Sequence, residues 1–443
     1  MHISKLYPNI KDNIIIRGLS NDPKRIKLNY IFYDCSNHIH DVNEAINNGC
    51  KIIASKRNPN LDNILWIKCN NPKKSYIKDL KRFYHYNNDI YTIGVIGTNG
   101  KSTIINYLSS VFKNLEIVGC IDKSLVTYLN HTYNLKNKCN AKDLYSSYNL
   151  MSFNKVNKLC MELSEYNNAF EIESFNLNAL IITNLTYDGN NFMDERFLSM
   201  MKKLKSLNYN SLLIYNHDNK YIKNAKHYTK AKAISYGEYS GDYKLGDYVL
   251  NMDGSIFDVL YKDCYLGTFK THLFGKHNIL NALAVIAYSY EMGIPLKLIQ
   301  KGIKNVEANN LGFCKYQHDG LSIIIDKEHS LYALKCLLEN ARLFTKGKLI
   351  IVIDDTSDDK KKRQLIGKIA SNMTDITIFT TSKNDDSFFN NLYDLIGKVK
   401  NKDYYLCIEM LEAINLALAL SNKNDTIVII GNYEKIAKEA LNT

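Results

Sequence analysis

The stretch at residues 94–103, Gly-Val-Ile-Gly-Thr-Asn-Gly-Lys-Ser-Thr, constrains the fold more than any other part of the chain. An apolar run at 90–96 leads into it and a helix-type run at 102–113 follows, which predicts a buried strand, a tight turn and a helix. Glycines let the backbone N–H groups of such a turn close around phosphate oxygens, and the helix N-terminus adds partial positive charge. The stretch therefore predicts a phosphate-binding loop in an α/β sheet.

The predicted nucleotide-binding residues are Gly97, Thr98, Asn99, Gly100, Lys101, Ser102 and Thr103. Lys101 is in position to reach the β- and γ-phosphates, and the Ser102 hydroxyl to ligate Mg²⁺. The general phosphate-loop pattern has glycine where this chain has Val95, so only the narrower pattern Gly-x-x-Gly-Thr-Asn-Gly-Lys-Ser fits. An ordinary glycine turn is the alternative, and it leaves the order of strand, loop, lysine and hydroxyl unexplained.

Apolar runs and turn residues predict three α/β domains, at residues 1–88, 89–310 and 311–443. The first is a small module with a helix at 41–48. The second has the apolar runs of a parallel sheet covered on both faces, followed by alternating short strands. The third alternates strands and helices as a doubly wound, Rossmann-like sheet does. The predicted strands of the first domain are 13–17, 30–33, 51–55 and 64–69.

The charge balance leaves a nucleic-acid-binding protein open, because 57 Lys and Arg against 45 Asp and Glu give a formal net charge of +12. The densest basic cluster, at 360–363, directly follows two aspartates, and no basic stripe with interleaved aromatic residues appears. A solvated lysine-rich surface fits better, so we expect no nucleic-acid partner. No apolar run has the length of a membrane span or a signal peptide, and the ten cysteines lack metal-type spacing. We predict a cytoplasmic protein with reduced thiols, as a monomer.

The narrower loop pattern resembles the signature of the Mur ligase superfamily, ATP-dependent enzymes that form amide bonds. Met161-Glu162-Leu163-Ser164 is similar to the family's Met-Glu-Val-Ser. The resemblance implies that Glu162 binds Mg²⁺ and that Ser164 contacts substrate. Residues 183–188 resemble Thr-Asn-Leu-Thr-Arg-Asp, and Gly189 follows where the family has a metal-binding histidine.

The family also carries a carbamylated lysine nineteen positions after the asparagine at 184, which implies Lys203, with Lys202 adjacent. A solvated helical lysine is the alternative for either residue. Residues 275–282 resemble Gly-x-His/Phe-Asn-x-x-Asn-x-x-Ala, a segment that lies against adenine in the family. The resemblance implies Asn278 and Asn281 as adenine-side contacts, and an asparagine there also predicts the cap of a helix that begins near 278.

The two ends of the chain follow the family less closely. Residues 18–32 resemble the nucleotide-sugar-binding start of the tripeptide synthetases in this family, which implies Asp22 as a substrate contact. Asp326 and His329 match Asp-Tyr-Ala-His, which implies a nucleotide contact and a catalytic residue. Of the acceptor signature Asp-Asn-Pro-Arg, aligned with 383–386, only Asn384 remains, and Gly-His-Glu reads Asn-Tyr-Glu434. Asn384 and Glu434 are implied substrate contacts, whereas recognition of meso-diaminopimelate by an arginine is not implied.

The resemblance implies an ATP- and Mg²⁺-dependent ligase that adds an amino acid to a UDP-MurNAc-dipeptide-like acceptor through an acyl phosphate, in peptidoglycan precursor synthesis. Its partners would be small molecules, the UDP-sugar peptide and the amino acid. Two alternatives stay open. One is a diverged ligase, such as a folylpolyglutamate-type enzyme, with another carboxylate substrate. The other is a degenerate paralogue that binds nucleotide without ligating.

Overall fold

The computed structural model describes residues 1–36, 38–113, 115–122, 125–129, 131–134, 140–163, 175–185, 193–251, 254–307, 313–318, 320–326, 331–354, 360–380, 393–396, 403–431, 433 and 435–437. The chain divides into two compact units. The first unit comprises Met1–Gly94 and Leu115–Asn178, and the second comprises Val95–Asn114 and Ala179–Thr443.

Helices and strands alternate along the first 162 residues. They are β1 (Gly18–Ser20), β2 (Tyr30–Tyr33), α1 (Ile39–Asn47), β3 (Ile52–Ser55), β4 (Leu65–Lys68), α2 (Pro72–Phe83), β5 (Tyr91–Ile96), α3 (Lys101–Phe112), β6 (Val118–Asp122), β7 (Leu125–Tyr128), β8 (His131–Asn134), α4 (Ala141–Phe153) and β9 (Lys158–Glu162).

The remaining elements belong to the second unit. They are β10 (Ala179–Ile182), α5 (Met193–Ser206), β11 (Leu212–Asn216), β12 (Lys232–Gly237), β13 (Tyr243–Asn251), β14 (Gly254–Tyr261), β15 (Cys264–Thr271), α6 (Lys276–Glu291), α7 (Leu296–Lys304), β16 (Phe313–His318), β17 (Leu321–Asp326), α8 (Leu331–Phe344), β18 (Leu349–Ile353), α9 (Lys360–Met373), β19 (Ile376–Phe379), β20 (Tyr404–Leu406), α10 (Met410–Leu420) and β21 (Thr426–Ile430).

The first unit contains a four-stranded parallel sheet in the order β1-β2-β3-β4. Phe32 and Ile53 of this sheet pack against Val42 and Ala45 of α1 in a buried cluster. The strand predicted at 13–17 is wrong, because Ile15 forms only an isolated bridge with His2 and the first strand begins at Gly18. The N–H groups around this bridge bond singly to residues near the N-terminus instead of forming a ladder.

The second unit contains three neighbouring parallel strands, β10, β11 and β12, followed by an antiparallel meander of β13, β14 and β15. Every residue of β10 is buried, as expected for a strand covered on both faces. Because parallel strands end at the same edge, the residues after β10, β11 and β12 gather there. That edge carries the site described below.

The C-terminal sheet of the second unit has six strands in the order β16-β17-β21-β18-β19-β20, with only β16 antiparallel to its neighbour. Alternate residues of its inner strands enter two separate cores. Ile351 and Val428 face a core that includes α8 and α9 residues, whereas Ile350 and Ile427 face one that includes α10 residues. Covering on both faces is the doubly wound arrangement, which confirms the predicted α/β class with parallel sheets.

Of the helices that the structure describes, none combines the length and the apolar character that crossing a bilayer requires.

Candidate functional site

The loop between β5 and α3 accepts only glycine at two positions. Gly97 has φ 147°, and a Cβ there would lie 1.9 Å from Thr183 Oγ1 and 2.9 Å from the Asn184 carbonyl oxygen. Gly100 has φ 85°, and its Cβ would lie 2.3 Å from Asn281 Oδ1. Positive φ is costly for residues with a side chain, so glycine fits here for both conformational and steric reasons. The narrow pattern of glycines in the sequence thus has a direct structural cause.

Thr183 and Asn184, which directly follow β10, hold this loop in place. Thr98 N donates to the Asn184 carbonyl at 2.9 Å, and Asn99 N donates to Asn184 Oδ1 at 3.0 Å. Thr183 Oγ1 donates to the Asn99 carbonyl at 2.6 Å. The sequence placed these two residues in a family motif without assigning them this function.

Lys101 begins α3 and its side chain folds back over the loop. Its Nζ donates to the carbonyl oxygens of Gly97 at 2.6 Å and Thr98 at 3.1 Å. The N-cap residue of α3 is Gly100, which has no side chain to accept a hydrogen bond from the first turn. A helix N-terminus of this kind, with an ammonium beside it, suits an anion such as a phosphate.

A cavity of about 320 Å³ lies beside the loop, within the second unit. Asn99, Gly100 and Thr103 line it on the loop side, and Asn278 and Asn281 on the α6 side. Asp326, at the end of β17, also lines it, so the cavity brings together six of the residues predicted from the sequence. Its apolar wall consists of Leu273, Phe274, Leu280, Ala333 and Leu337. A small cavity with one apolar wall and several amide groups suits a flat heteroaromatic ring.

The predicted cap at Asn278 is wrong. Helix α6 begins at Lys276 with Gly275 as its N-cap, so Asn278 already lies in the first turn. Its Nδ2 donates to the Phe274 carbonyl at 2.7 Å, and its Oδ1 accepts from Asn281 Nδ2 at 3.3 Å. The two asparagines therefore act as a pair that joins the start of α6 to the loop at Gly100.

Two family models match the chain. The Mur ligase middle domain matches residues 95–289, and the Mur ligase glutamate ligase domain matches residues 313–433. Together these ranges cover well over half of the chain. The chain belongs to the Mur ligase family. The family resemblance inferred from the sequence motifs is thereby confirmed.

Curated Mur ligases match almost the whole chain. It is 27% identical to the "UDP-N-acetylmuramoyl-L-alanyl-D-glutamate--2,6-diaminopimelate ligase" of Clostridium tetani, over 97% of this chain and 93% of that protein. The protein of the same name from Fusobacterium nucleatum is also 27% identical, over 96% of this chain and 91% of that protein.

Solved structures of Mur ligases share the fold. One with the same name superposes with a TM-score of 0.68 at 16% identity, over 100% of this chain and 99% of that chain. The MurF ligase from Thermotoga maritima in complex with ADP also gives 0.68, at 17% identity, over 97% of this chain and 99% of that chain.

The other predicted residues of this Mur ligase have diverse positions. Glu162 is the last residue of β9 in the first unit. Asp22 in the same unit accepts from Lys24 N at 3.0 Å and pairs with Arg25 at 3.5 Å, so these two contacts are local. Ser164, His329, Asn384 and Glu434 lie outside the described residues, as does Gly189.

Lys203 and Lys202 differ sharply in burial. Lys203, near the end of α5, is only 1% exposed, whereas Lys202 is exposed. The alternative of a solvated lysine therefore does not hold for Lys203. A helix turns about 100° per residue, so adjacent positions face different surroundings. Met200 and Leu204 are buried on the same helix, and this apolar stripe in the sequence could have distinguished the two lysines.

His277 is a cavity residue whose charge state depends on its surroundings. Part of the ring faces the cavity, and within the described residues nothing bonds to its shielded Nδ1. Burial lowers the pKa of His277 to about 4. The imidazole is therefore neutral at pH 7, which keeps a positive charge out of the apolar end of the cavity.

Acidification is expected to destabilise the protein through His277, since the unfolded chain takes up a proton below about pH 6.5 that the folded imidazole refuses until about pH 4. Between pH 7.5 and 5.0 this group should lower the free energy of unfolding by about 1–2 kcal/mol, allowing for its contact with the cavity. His277→Phe should lose that part of the pH dependence, because phenylalanine does not titrate. Urea unfolding followed by circular dichroism measures it, since Trp66 fluorescence reports only on the first unit. Equal pH dependence in both proteins would contradict this role.

Proposed function

We propose that this protein is an ATP-dependent amide ligase that joins an amino acid to a UDP-MurNAc-dipeptide-like acceptor in peptidoglycan precursor synthesis. One observation carries the proposal: a glycine-constrained loop opens α3 directly beside a cavity with an apolar wall and paired asparagines. That geometry supports a nucleotide with its phosphates at the loop and its base in the cavity. The names of the curated relatives support the acceptor and the reaction.

The proposed reaction has two steps. A carboxylate oxygen of the acceptor attacks the γ-phosphorus of ATP, and ADP leaves, which gives an acyl phosphate. The amine nitrogen of the amino acid then attacks the acyl carbon, inorganic phosphate leaves, and the nitrogen loses a proton. The loop N–H groups and Lys101 stabilise negative charge on the phosphoryl oxygens in the first step.

The base of ATP is proposed to bind against Phe274, Leu280 and Leu337. The amide groups of Asn278 and Asn281 would then select the hydrogen-bonding edge of adenine, because they line the same cavity. Neutral His277 avoids the cost of burying a charge beside the base. Asp326 lies on the side of the cavity formed by the C-terminal sheet.

Ser102 and Glu162 are the proposed Mg²⁺ ligands. A hydroxyl and a carboxylate oxygen are the donors that this hard cation prefers, so the residues present fit the metal. When bound, Mg²⁺ would neutralise phosphate charge. Ser102 lies in the first turn of α3 and Glu162 at the end of β9.

Lys203 is proposed to be the modified lysine. Lys203→Met is expected to lower turnover about 100-fold, on the scale of losing one preorganised charged group in an active site. Lys202→Met is the matched control, because Lys202 is the adjacent residue on the same helix and is exposed. Phosphate release with saturating substrates compares them. Equal activity of the two variants would contradict the assignment.

A phosphate-release assay tests the proposed function. The full chain is incubated with Mg-ATP, UDP-MurNAc-dipeptide and single amino acids, including lysine and diaminopimelate. Release that requires the acceptor and one amino acid is expected. The position of the family's arginine is Asp386 here, so a different amino acid from that of the named relatives is an outcome that keeps the proposal.

Two other outcomes would overturn it. Release with a folate-type or other carboxylate in place of the muramoyl acceptor would identify a diverged ligase. ATP binding that Lys101→Ala removes, without turnover on any acceptor, would identify a degenerate paralogue. The proposed substrates, ATP and a UDP-sugar, favour a cytoplasmic enzyme, and we propose a monomer that calibrated gel filtration would test.

A further inference from the structure

Phe274 belongs to the turn before α6, yet its side chain lies in the core of the C-terminal sheet. It is 3% exposed and packs in the cluster that contains Ile324 and Val428 of that sheet and Leu337 of α8. Its ring centroid lies 5.5 Å from that of Phe344, at the end of α8. A residue that leads into α6 therefore contributes to the core of the sheet that begins more than forty positions later.

The segment around Phe274 is also tied to the helix of the phosphate loop. The hydroxyl groups of Tyr107, on α3, and Thr271 are hydrogen-bonded at 2.6 Å, and Leu273 N donates to Thr271 Oγ1 at 3.1 Å. On the other side of Phe274, Asn281 lies against Gly100. Residues 271–281 thus contact α3 and its loop on both sides of a side chain that is seated in the C-terminal core.

Asn340 forms a second tie between α8 and this segment. Its Oδ1 accepts from Lys276 N at 3.4 Å, and its Nδ2 donates to the Cys336 carbonyl at 2.6 Å. A Cβ at Gly275 would lie 2.9 Å from Asn340 Nδ2, so the two backbones approach closely. Asn340 itself is buried.

We propose that Phe274 is a positioning residue that seats the C-terminal sheet and α8 against the phosphate loop, and so completes the nucleotide cavity. The proposal rests on the proposed function, because it takes the cavity to be the nucleotide site. Phe274 and Leu337 line this cavity and are also members of the C-terminal core. A nucleotide in the cavity would therefore contact both sides of the joint, and its binding would stabilise the seated arrangement.

The coupling is reciprocal, because a ligand that favours the seated arrangement binds more weakly when that arrangement is disfavoured. Loss of the Phe274 ring should therefore weaken nucleotide binding without removing any polar contact to the nucleotide. A residue that only stabilises the core should not have this effect. Phe379 is the matched control, because it is fully buried in the same cluster, lies on β19 and does not line the cavity.

Mg-ADP affinity of the full chain is measured by calorimetry for the wild type, Phe274→Ala, Phe274→Leu and Phe379→Ala. Phe274→Ala is expected to bind about tenfold more weakly, which corresponds to a modest coupling energy. Phe274→Leu should recover most of the affinity, because leucine refills much of the core site. Phe379→Ala should bind within about twofold of the wild type.

Hydrogen exchange of the α8 amides gives the readout that a purely structural role would not change. Mg-ADP should protect α8 in the wild type and in Phe379→Ala, but not in Phe274→Ala. If the alanine variants do not fold, Phe274→Leu and Phe379→Leu carry the same comparison.

Equal loss of affinity in the Phe274 and Phe379 variants, or ADP-dependent protection of α8 that persists in Phe274→Ala, would overturn the inference alone. A wild type that does not bind Mg-ADP would overturn the proposed function and this inference together.

Discussion

Gly97→Ala is expected to weaken Mg-ADP binding at least about 100-fold, equivalent to roughly 3 kcal/mol or more of binding free energy. The new Cβ would lie 1.9 Å from Thr183 Oγ1 and 2.9–3.0 Å from the backbone oxygen and nitrogen of Asn184. A side-chain hydroxyl could rotate, but the backbone after β10 is fixed by its pairing with β11. The loop must therefore move, and its N–H groups would lose their alignment on the phosphates.

Gly293→Ala is the matched control for this variant. Gly293 also has a positive φ, of 75°, but a Cβ there would meet nothing within 4 Å. It should cost about 1 kcal/mol of stability through backbone strain and leave binding within about twofold. Calorimetric titration with Mg-ADP compares the two, with circular dichroism as the check on folding. Similar binding by both variants would show that the close packing around Gly97 does not shape the site.

The parts of the fold that could be predicted are those whose burial is recorded in a continuous apolar run. The strand predicted at 321–326 is β17, Leu321–Asp326, and the one predicted at 426–431 is β21, Thr426–Ile430. Inner strands of a parallel sheet are covered on both faces, so their sequences are apolar throughout. Helix α3 was equally clear, because the glycines fix its first turn.

Helix α2 shows why other elements were missed. Its many lysines conceal the buried face, yet its start has the usual signals. Asn71 accepts from Lys74 N at 3.0 Å as the N-cap, and Pro72 occupies the first turn. The Asn-Pro pair in the sequence could have identified this helix.

The site was predictable where chemistry requires particular residues at short spacing, as in the loop at 97–103. It was not predictable where the contacts join distant parts of the chain. The bond from Thr183 to the Asn99 carbonyl spans 84 positions, and that from Lys276 N to Asn340 spans 64. Neither polar side chain is unusual in its own sequence context. Such contacts arise from strand order and helix packing, which local patterns do not encode.

Lys101→Ala is expected to lower the turnover of ATP about 1,000-fold, with a smaller change in the KM for ATP. The ammonium group now donates to two neutral carbonyl oxygens, those of Gly97 and Thr98. Phosphoryl oxygens carry more negative charge, and bonds from an ammonium to them are stronger. The negative charge on the transferred group is redistributed in the transition state, so the largest loss should be in kcat.

Lys297→Ala is the control, because Lys297 lies in the same unit on α7 and is exposed. It removes the same formal charge from the protein, so it separates a local effect of Lys101 from the effect of net charge. Steady-state phosphate release over a range of ATP concentrations gives kcat and KM for both variants. A raised KM with unchanged kcat in Lys101→Ala would mean that Lys101 binds ATP and its transition state equally well. The ammonium would then hold the nucleotide without accelerating phosphoryl transfer.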